Sequence, residues 1–243
     1  MIVLIITAVR VKSMDSHRIS GRILAENIAG PGMMRLVEQS MQAQAQKTSV
    51  TEIAVKEWKH PQAALTFDDG PDIRYTPLLL DGLKERNVRA SFFLLGEKVE
   101  QYPELVERMQ KEGHLVGNHT YHHVQLNKLN ETKAREEILK TNNLIYETTG
   151  VYPLYLRPPF GAWKKNLELC VEMLPVFWTI DTLDWKVQNT EKIVRTVQEQ
   201  IEDGAIILMH DEYDTSVEAA LQVVDELKNQ GYEFVTVDQL ILP

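Results

Sequence analysis

From Gln62 onward, short apolar runs alternate with longer stretches in which apolar residues recur every three or four positions. The short runs cover residues 63–67, 90–95, 115–117, 154–156, 176–180, 205–209 and 234–237. They are too brief for helices and rich in β-branched and aromatic residues, so they predict strands. The stretches between them, 76–86, 102–112, 131–148, 164–173, 191–202 and 217–229, have helical spacing. The helix beginning at Glu131 is expected to stop at Gly150. Seven strands interleaved with helices predict a parallel sheet of βα units, either a barrel or an open doubly wound sheet.

Upstream the pattern breaks down. Residues 13–55 hold four of the eight methionines, the breaker Ala29-Gly30-Pro31-Gly32 and a polar run from Gln39 to Thr51. A helix fits residues 33–46, but nothing after it reads as a packed unit. Residues 1–58 are therefore expected to be an extension or linker, partly disordered, and 59–243 the folded domain. Ile2 to Val9 is apolar over the length of a signal core, without a basic stretch before it or a small-residue cleavage pattern after it. It reads equally as a remnant of a signal or anchor, with Met14 as an alternative start, or as a buried strand.

Composition narrows the partners. A net charge of −9, with no Lys/Arg-rich stripe, argues against nucleic acid or an anionic membrane. A single cysteine, Cys170, excludes an internal disulfide framework. No run reaches the length of a membrane-spanning helix.

Candidate chemistry collects at the carboxyl ends of the strand runs. Asp68 and Asp69 follow the first run, in Thr66-Phe67-Asp68-Asp69-Gly70-Pro71, and His119 follows the third, in His119-Thr120-Tyr121-His122-His123. Arg157 follows the fourth, Asp181 and Asp184 the fifth, and His210 the sixth. In a closed parallel ring those ends converge on one face, which favours the barrel. Side chains of adjacent residues on an extended segment point opposite ways, so one Asp can ligate a metal while the other faces a bound water. Asp-Gly-Pro is also ordinary turn chemistry. On a helical turn His119 and His123 share a face and can share a metal, with His122 turned away as a bystander. One carboxylate and two imidazoles suit zinc, and also the facial triad of iron oxygenases, which is disfavoured because it leaves Asp68 and His210 without a task. His210 is placed to donate a proton if Asp181 or Asp184 orients it. In Arg157-Pro158-Pro159-Phe160-Gly161 the stiffened loop offers the N–H groups of Phe160 and Gly161 as oxyanion donors, and Arg157 can neutralise a carboxylate. Trp185 and Phe160, with Trp163 as a further candidate, are apolar surfaces suited to stacking on a sugar ring, although each taken singly reads more readily as core.

In this order, over about residues 60–242, these stretches resemble the polysaccharide deacetylase family, the NodB-homology domain of the family 4 carbohydrate esterases. The resemblance implies a distorted (β/α) barrel of about seven parallel strands. It implies Asp68 as catalytic base, Asp69, His119 and His123 as ligands of one divalent metal ion, and Arg157 as tether of the base. Phe160 becomes a main-chain oxyanion donor, Asp184 the residue that orients the acid, and His210 the general acid. Trp185 lines the acetyl pocket, and Leu208 joins it among the substrate-contacting residues. The metal implied is Zn2+, with Co2+ or Ni2+ as alternatives. The substrate implied is an acetylated glycan of peptidoglycan or chitin type, carrying N-acetylglucosamine. O-acetyl ester hydrolysis on xylan, or an inactive glycan-binding homologue, are the competing readings. Family members are usually exported, so a bacterial extracytoplasmic or surface location and a monomer are expected. His122 departs from the family pattern, which has a small hydroxyl residue there.

Overall fold

The computed structural model describes residues 60–163 and 173–241. The extension expected over 1–58 lies outside the described residues, as does the helix expected over 164–173 apart from Met173. In chain order the elements are β1 (Gln62–Asp68), α1 (Tyr75–Glu85), β2 (Ser91–Leu94), α2 (Gly96–Gln101), α3 (Pro103–Lys111) and β3 (Leu115–Asn118). Then follow α4 (Glu131–Thr149), β4 (Tyr155–Leu156), β5 (Leu174–Pro175), β6 (Ile180–Asp181) and α5 (Asp184–Val187). The last are α6 (Thr190–Gln200), β7 (Ala205–His210), α7 (Asp214–Asn229), β8 (Glu233–Phe234) and α8 (Val237–Ile241).

The strands pair in parallel in the order β5-β4-β3-β2-β1-β7-β6. β8 pairs with Gln62 and Ala63 of β1, on the edge whose later half, from Thr66, meets β2. Helices follow the strands, as the alternating pattern predicts. β1 is buried at all seven positions, and Phe67 stacks on Phe92 of β2 with centroids 5.3 Å apart. A strand covered on both faces must be apolar throughout, which is why β1, β2 and β7 read as continuous runs rather than alternating ones.

The run at 176–180 behaves differently from a single strand. Val176 N–H donates to the Leu156 carbonyl (2.8 Å), whereas Thr179 N–H donates to the Ile206 carbonyl (2.9 Å). The chain thus leaves the β4 edge and arrives at the β7 edge within a few residues, with β5 and β6 as its two anchored ends. Among the described residues no ladder joins β5 to β6, so the curled sheet is bridged by the chain itself and the barrel is distorted at this point. The run at 234–237 is also cut short. Thr236 N–H reaches Gln239 Oε1 (3.3 Å) just before α8, the glutamine half of a capping box in Thr-Val-Asp-Gln. The helix from Glu131 ends as expected at Gly150, whose φ of 71° is the left-handed conformation glycine adopts without a Cβ penalty. The helices α2 and α5 are too short to show a period.

His114 is a buried titratable group with a purely structural role. Its Nδ1 accepts the Ala90 N–H at 3.0 Å, and its ring meets Phe92 edge-on. A backbone N–H can only donate, so that nitrogen carries no proton. Burial first, with Arg89 and Arg108 adding to it against Glu112, holds the ring down at about 4 from an ordinary 6.5. The unfolded chain therefore binds a proton that the fold rejects. The stabilisation is fully present above pH 6.5 and is lost as pH falls toward 4, a change of about 3 kcal/mol. Urea unfolding at pH 7 and pH 4.5 should show a smaller acid loss in His114→Gln than in the native protein.

Candidate active site

The register pairs Asp68 with His210 directly, at the ends of neighbouring strands β1 and β7. His119 follows β3, Arg157 follows β4, and Asp184 opens α5 just beyond β6. Five strand ends thus deliver side chains to one face of the sheet, as the convergence argument requires.

The two adjacent carboxylates do not diverge as an extended segment would make them. Asp69 has a φ of 70°, in the left-handed region, so strand alternation ends at Asp68. The turn brings both carboxylates to His119, whose Nε2 is 3.7 Å from Asp68 Oδ2 and 3.4 Å from Asp69 Oδ1. What separates the pair is their partners. Asp68 Oδ1 accepts from Arg157 Nη1 at 2.8 Å. Asp69 Oδ1 is buried without a hydrogen-bond donor and lies 3.4 Å from the Nε2 atoms of both His119 and His123.

Asp69, His119 and His123 place one donor atom each within 4.8 Å of one another, a set that fits one divalent metal ion. His119 Nδ1 lies 2.6 Å from the Arg157 carbonyl, which can only accept. The proton therefore sits on Nδ1 and leaves the Nε2 lone pair facing Asp69, the tautomer a ligand needs. Burial holds His123 below its ordinary value, which keeps its ring neutral. Burial opposes ionisation of Asp69, but His119, His123 and His210 together hold its carboxyl well below the usual carboxylate range.

The 119–123 segment is not a helical turn. Thr120 and His123 have φ values of 68° and 54°, and the loop is held from outside. Glu137 of α4 accepts the N–H groups of Tyr121 (3.1 Å) and His122 (2.9 Å), and His122 Nδ1 at 2.8 Å. His122 does turn away from the ligand trio, but it clamps the loop rather than standing idle. Nothing in the sequence near the motif marks Glu137, which acts from the next helix. Glu137→Ala is expected to weaken the binding of a divalent ion at the trio by about 10–100-fold, read by competition with a chelating dye. His122→Ala, which removes one of three bonds, should lose less.

Opposite the trio, His210 Nδ1 is 2.8 Å from Asp184 Oδ1. Asp184 Oδ2 accepts the His210 N–H and the Ser216 hydroxyl, each at 2.7 Å. Burial disfavours the charged ring, yet Asp184, with Asp68 and Asp69, raises His210 to about 9. The ring is thus a proton donor at neutral pH, with Nε2 directed at the site, 3.9 Å from Asp69 Oδ2. Asp181, the other candidate to orient it, instead accepts the Leu183 N–H (3.0 Å).

In the Arg157 loop, the Gly161 N–H is already bonded to the Pro158 carbonyl (3.0 Å), leaving Phe160 as the main-chain donor of the two considered. The Phe160 ring is 62% exposed and lies over His123, with centroids 4.5 Å apart. Trp185 is 49% exposed on the first turn of α5. Trp163 is half-buried and packs against the cluster of Leu126, Ala134, Ile138 and Leu156. Leu208 is buried two residues below His210 on the same strand face.

Comparison with known proteins agrees with this geometry. The polysaccharide deacetylase family matches residues 56–177. The peptidoglycan-N-acetylglucosamine deacetylase PgdA of Listeria monocytogenes is 44% identical over 177 residues, 73% of this chain and 38% of that protein. The peptidoglycan-N-acetylmuramic acid deacetylase PdaC of Bacillus subtilis is 43% identical over the same lengths of both, so the match spans under half of these relatives. The solved structure of PdaC superposes with a TM-score of 0.73 at 42% identity, covering 75% of this chain and 91% of the solved one. A related sequence thus adopts a similar fold in a solved structure, and this chain belongs to the polysaccharide deacetylase family.

Proposed function

We propose that the domain hydrolyses the acetamide of N-acetylglucosamine units in peptidoglycan or a chitin-type glycan, releasing acetate. The observation that carries this reading is the different bonding of two adjacent carboxylates. Asp68 is tied to Arg157 and stands outside the ligand trio, while Asp69 is inside it. A trio of one carboxylate and two imidazoles suits Zn2+, with Co2+ or Ni2+ as substitutes. When bound, the ion supplies Lewis acidity, polarising the acetyl carbonyl and acidifying a water.

The protein's own groups handle the protons. Asp68, bonded to Arg157 through Oδ1, takes a proton from the water that attacks the carbonyl carbon. The tetrahedral oxygen is stabilised in part by the Phe160 N–H. As the C–N bond breaks, His210 passes its Nε2 proton to the departing amine, while Asp184 keeps Nδ1 protonated and the ring aligned. Trp185 and Leu208 flank the acetyl group. Each partner of the proton relay sits on a different strand end, so the substrate must lie across the open carboxyl face. A peptidoglycan substrate places the reaction outside the cytoplasmic membrane.

Acetate release from N-acetylglucosamine oligomers, peptidoglycan and acetylated xylan tests the reading. Release from the amide substrates should vanish with chelator and return with Zn2+. Release from xylan alone would make the enzyme an O-acetyl esterase. No release from any of them with Zn2+ present would make the domain a glycan-binding homologue.

A further inference from the structure

Asp211 follows the proposed acid on β7, is 0% exposed, and has no task in the proton relay. A fully buried acid is costly unless it is well bonded. Its Oδ2 accepts the hydroxyl of Thr76, on the first turn of α1. Its Oδ1 has no hydrogen-bond partner among the described residues. A stability role alone accounts poorly for a carboxyl there.

The surroundings supply a different one. The Thr76 hydroxyl oxygen accepts the Asp72 N–H at 2.7 Å, so the Asp211 carboxyl, Thr76 and Asp72 form one relay. The same carboxyl lies against the Cα of Gly70: a Cβ added there would sit 2.5 and 2.8 Å from its two oxygens. Gly70 in turn offers its carbonyl to the Leu95 N–H (3.3 Å). The loop from Asp69 to Asp72 is therefore pressed onto Asp211 at Gly70 and fastened to it at Asp72. Asp69 itself holds a left-handed φ of 70°, a conformation that persists in a non-glycine residue only where the surroundings over-determine it.

We propose that Asp211 is a positioning residue, which through Thr76 and Gly70 fixes the turn that aims the Asp69 carboxylate at His119 and His123. One oxygen accepts from Thr76 and the other lies bare against Gly70, so the place suits a bare oxygen at both positions and a donor at neither. Asparagine must either set its NH2 against the Gly70 Cα, where no acceptor waits, or turn it toward Thr76 and force the hydroxyl to rotate away. The link also joins the end of β7, which carries His210, to the loop that carries Asp69. The proton donor and the metal ligand are thereby held at one fixed separation.

The inference rests on the metal-dependent deacetylase reading, and its test keeps the two apart. Zn2+ affinity is measured by chelator competition, with kcat and KM on an N-acetylglucosamine oligomer and Tm of the zinc-free proteins. The set is the native protein, Thr76→Val, Thr76→Ser, Asp211→Asn and the double variant Thr76→Val/Asp211→Asn. Thr76→Val keeps the shape of threonine and removes only the hydroxyl. It and Asp211→Asn should each lower zinc affinity and kcat by about tenfold or more, with KM nearly unchanged. Thr76→Ser, which retains the hydroxyl, should stay near native. The double variant should be no worse than the worse single one, because both act on the same link. Thr76→Val and Asp211→Asn with native zinc affinity and kcat, whatever their Tm, would overturn the inference while leaving the deacetylase reading intact. Fully additive losses in the double variant would overturn it too. A native protein that binds no Zn2+ would overturn both.

Discussion

Asp68→Asn is expected to lower acetate release by roughly 10²–10⁴-fold while zinc remains bound at native affinity. Asparagine keeps the size of the side chain and an oxygen for Arg157 Nη1, which now bonds Asp68 Oδ1 at 2.8 Å. It cannot take a proton from an attacking water. Because Asp68 lies outside the trio of Asp69, His119 and His123, the ligand set is untouched. Initial rates and chelator competition on the same preparation separate the two properties. Near-native turnover would reject Asp68 as the base, and a parallel loss of zinc would move it into the ligand set. Asp69→Asn gives the opposite pattern, losing zinc first.

The second large effect is on stability. Arg157→Met is expected to destabilise the fold by about 3–5 kcal/mol and to remove activity with it. Arg157 is fully buried; its Nη1 bonds Thr66 Oγ1 (2.7 Å) and Asp68 Oδ1 (2.8 Å), and its guanidinium lies 4.2 Å from the centroid of Phe93. Burial pulls the guanidinium below its ordinary value against the pull of Asp68. It nevertheless stays charged, since arginine does not deprotonate in proteins. Methionine fills the space but strands the Asp68 carboxylate in a buried place without its counter-charge. Most of the loss should therefore come from Asp68, which a double variant can show. Adding Asp68→Asn to Arg157→Met should recover part of the stability, measured by urea unfolding, without recovering activity. Equal destabilisation in both backgrounds would place the cost in packing on Phe93 instead. Arg157→Lys should fall between, keeping the charge but losing the planar fork and its stacking.

Both effects depend on which carboxylate holds which partner, and that is where sequence and structure part. Helix and strand runs were legible wherever an element was long enough to show a period. α4 begins at Glu131 and stops at Gly150, and β1 and β7 extend the expected runs by a residue at one or both ends. The exceptions were local. The run at 176–180 looks like one buried strand because its residues are apolar, yet its two ends bond opposite edges of the sheet. Apolar character reports burial, not which neighbour a strand finds.

The same division holds at the site. The order of the motifs and their places at strand ends are properties of the chain, because hydrophobic runs mark strands and polar residues must leave the core where strands end. From that, the amino-acid sequence by itself determined the family, the parallel architecture and the short roster of reactive residues. Only the tertiary structure decided that Asp69 turns left-handed, so that both carboxylates face His119. Only it showed Asp184 bonded to His210 while Asp181 turns to Leu183, and brought Glu137 and Asp211 to brace the two loops. The physical reason is range: periodicity and turn chemistry act over a few residues, whereas these contacts join side chains on separate strands and helices. Their distances are set by the register of the sheet and the packing of helices upon it.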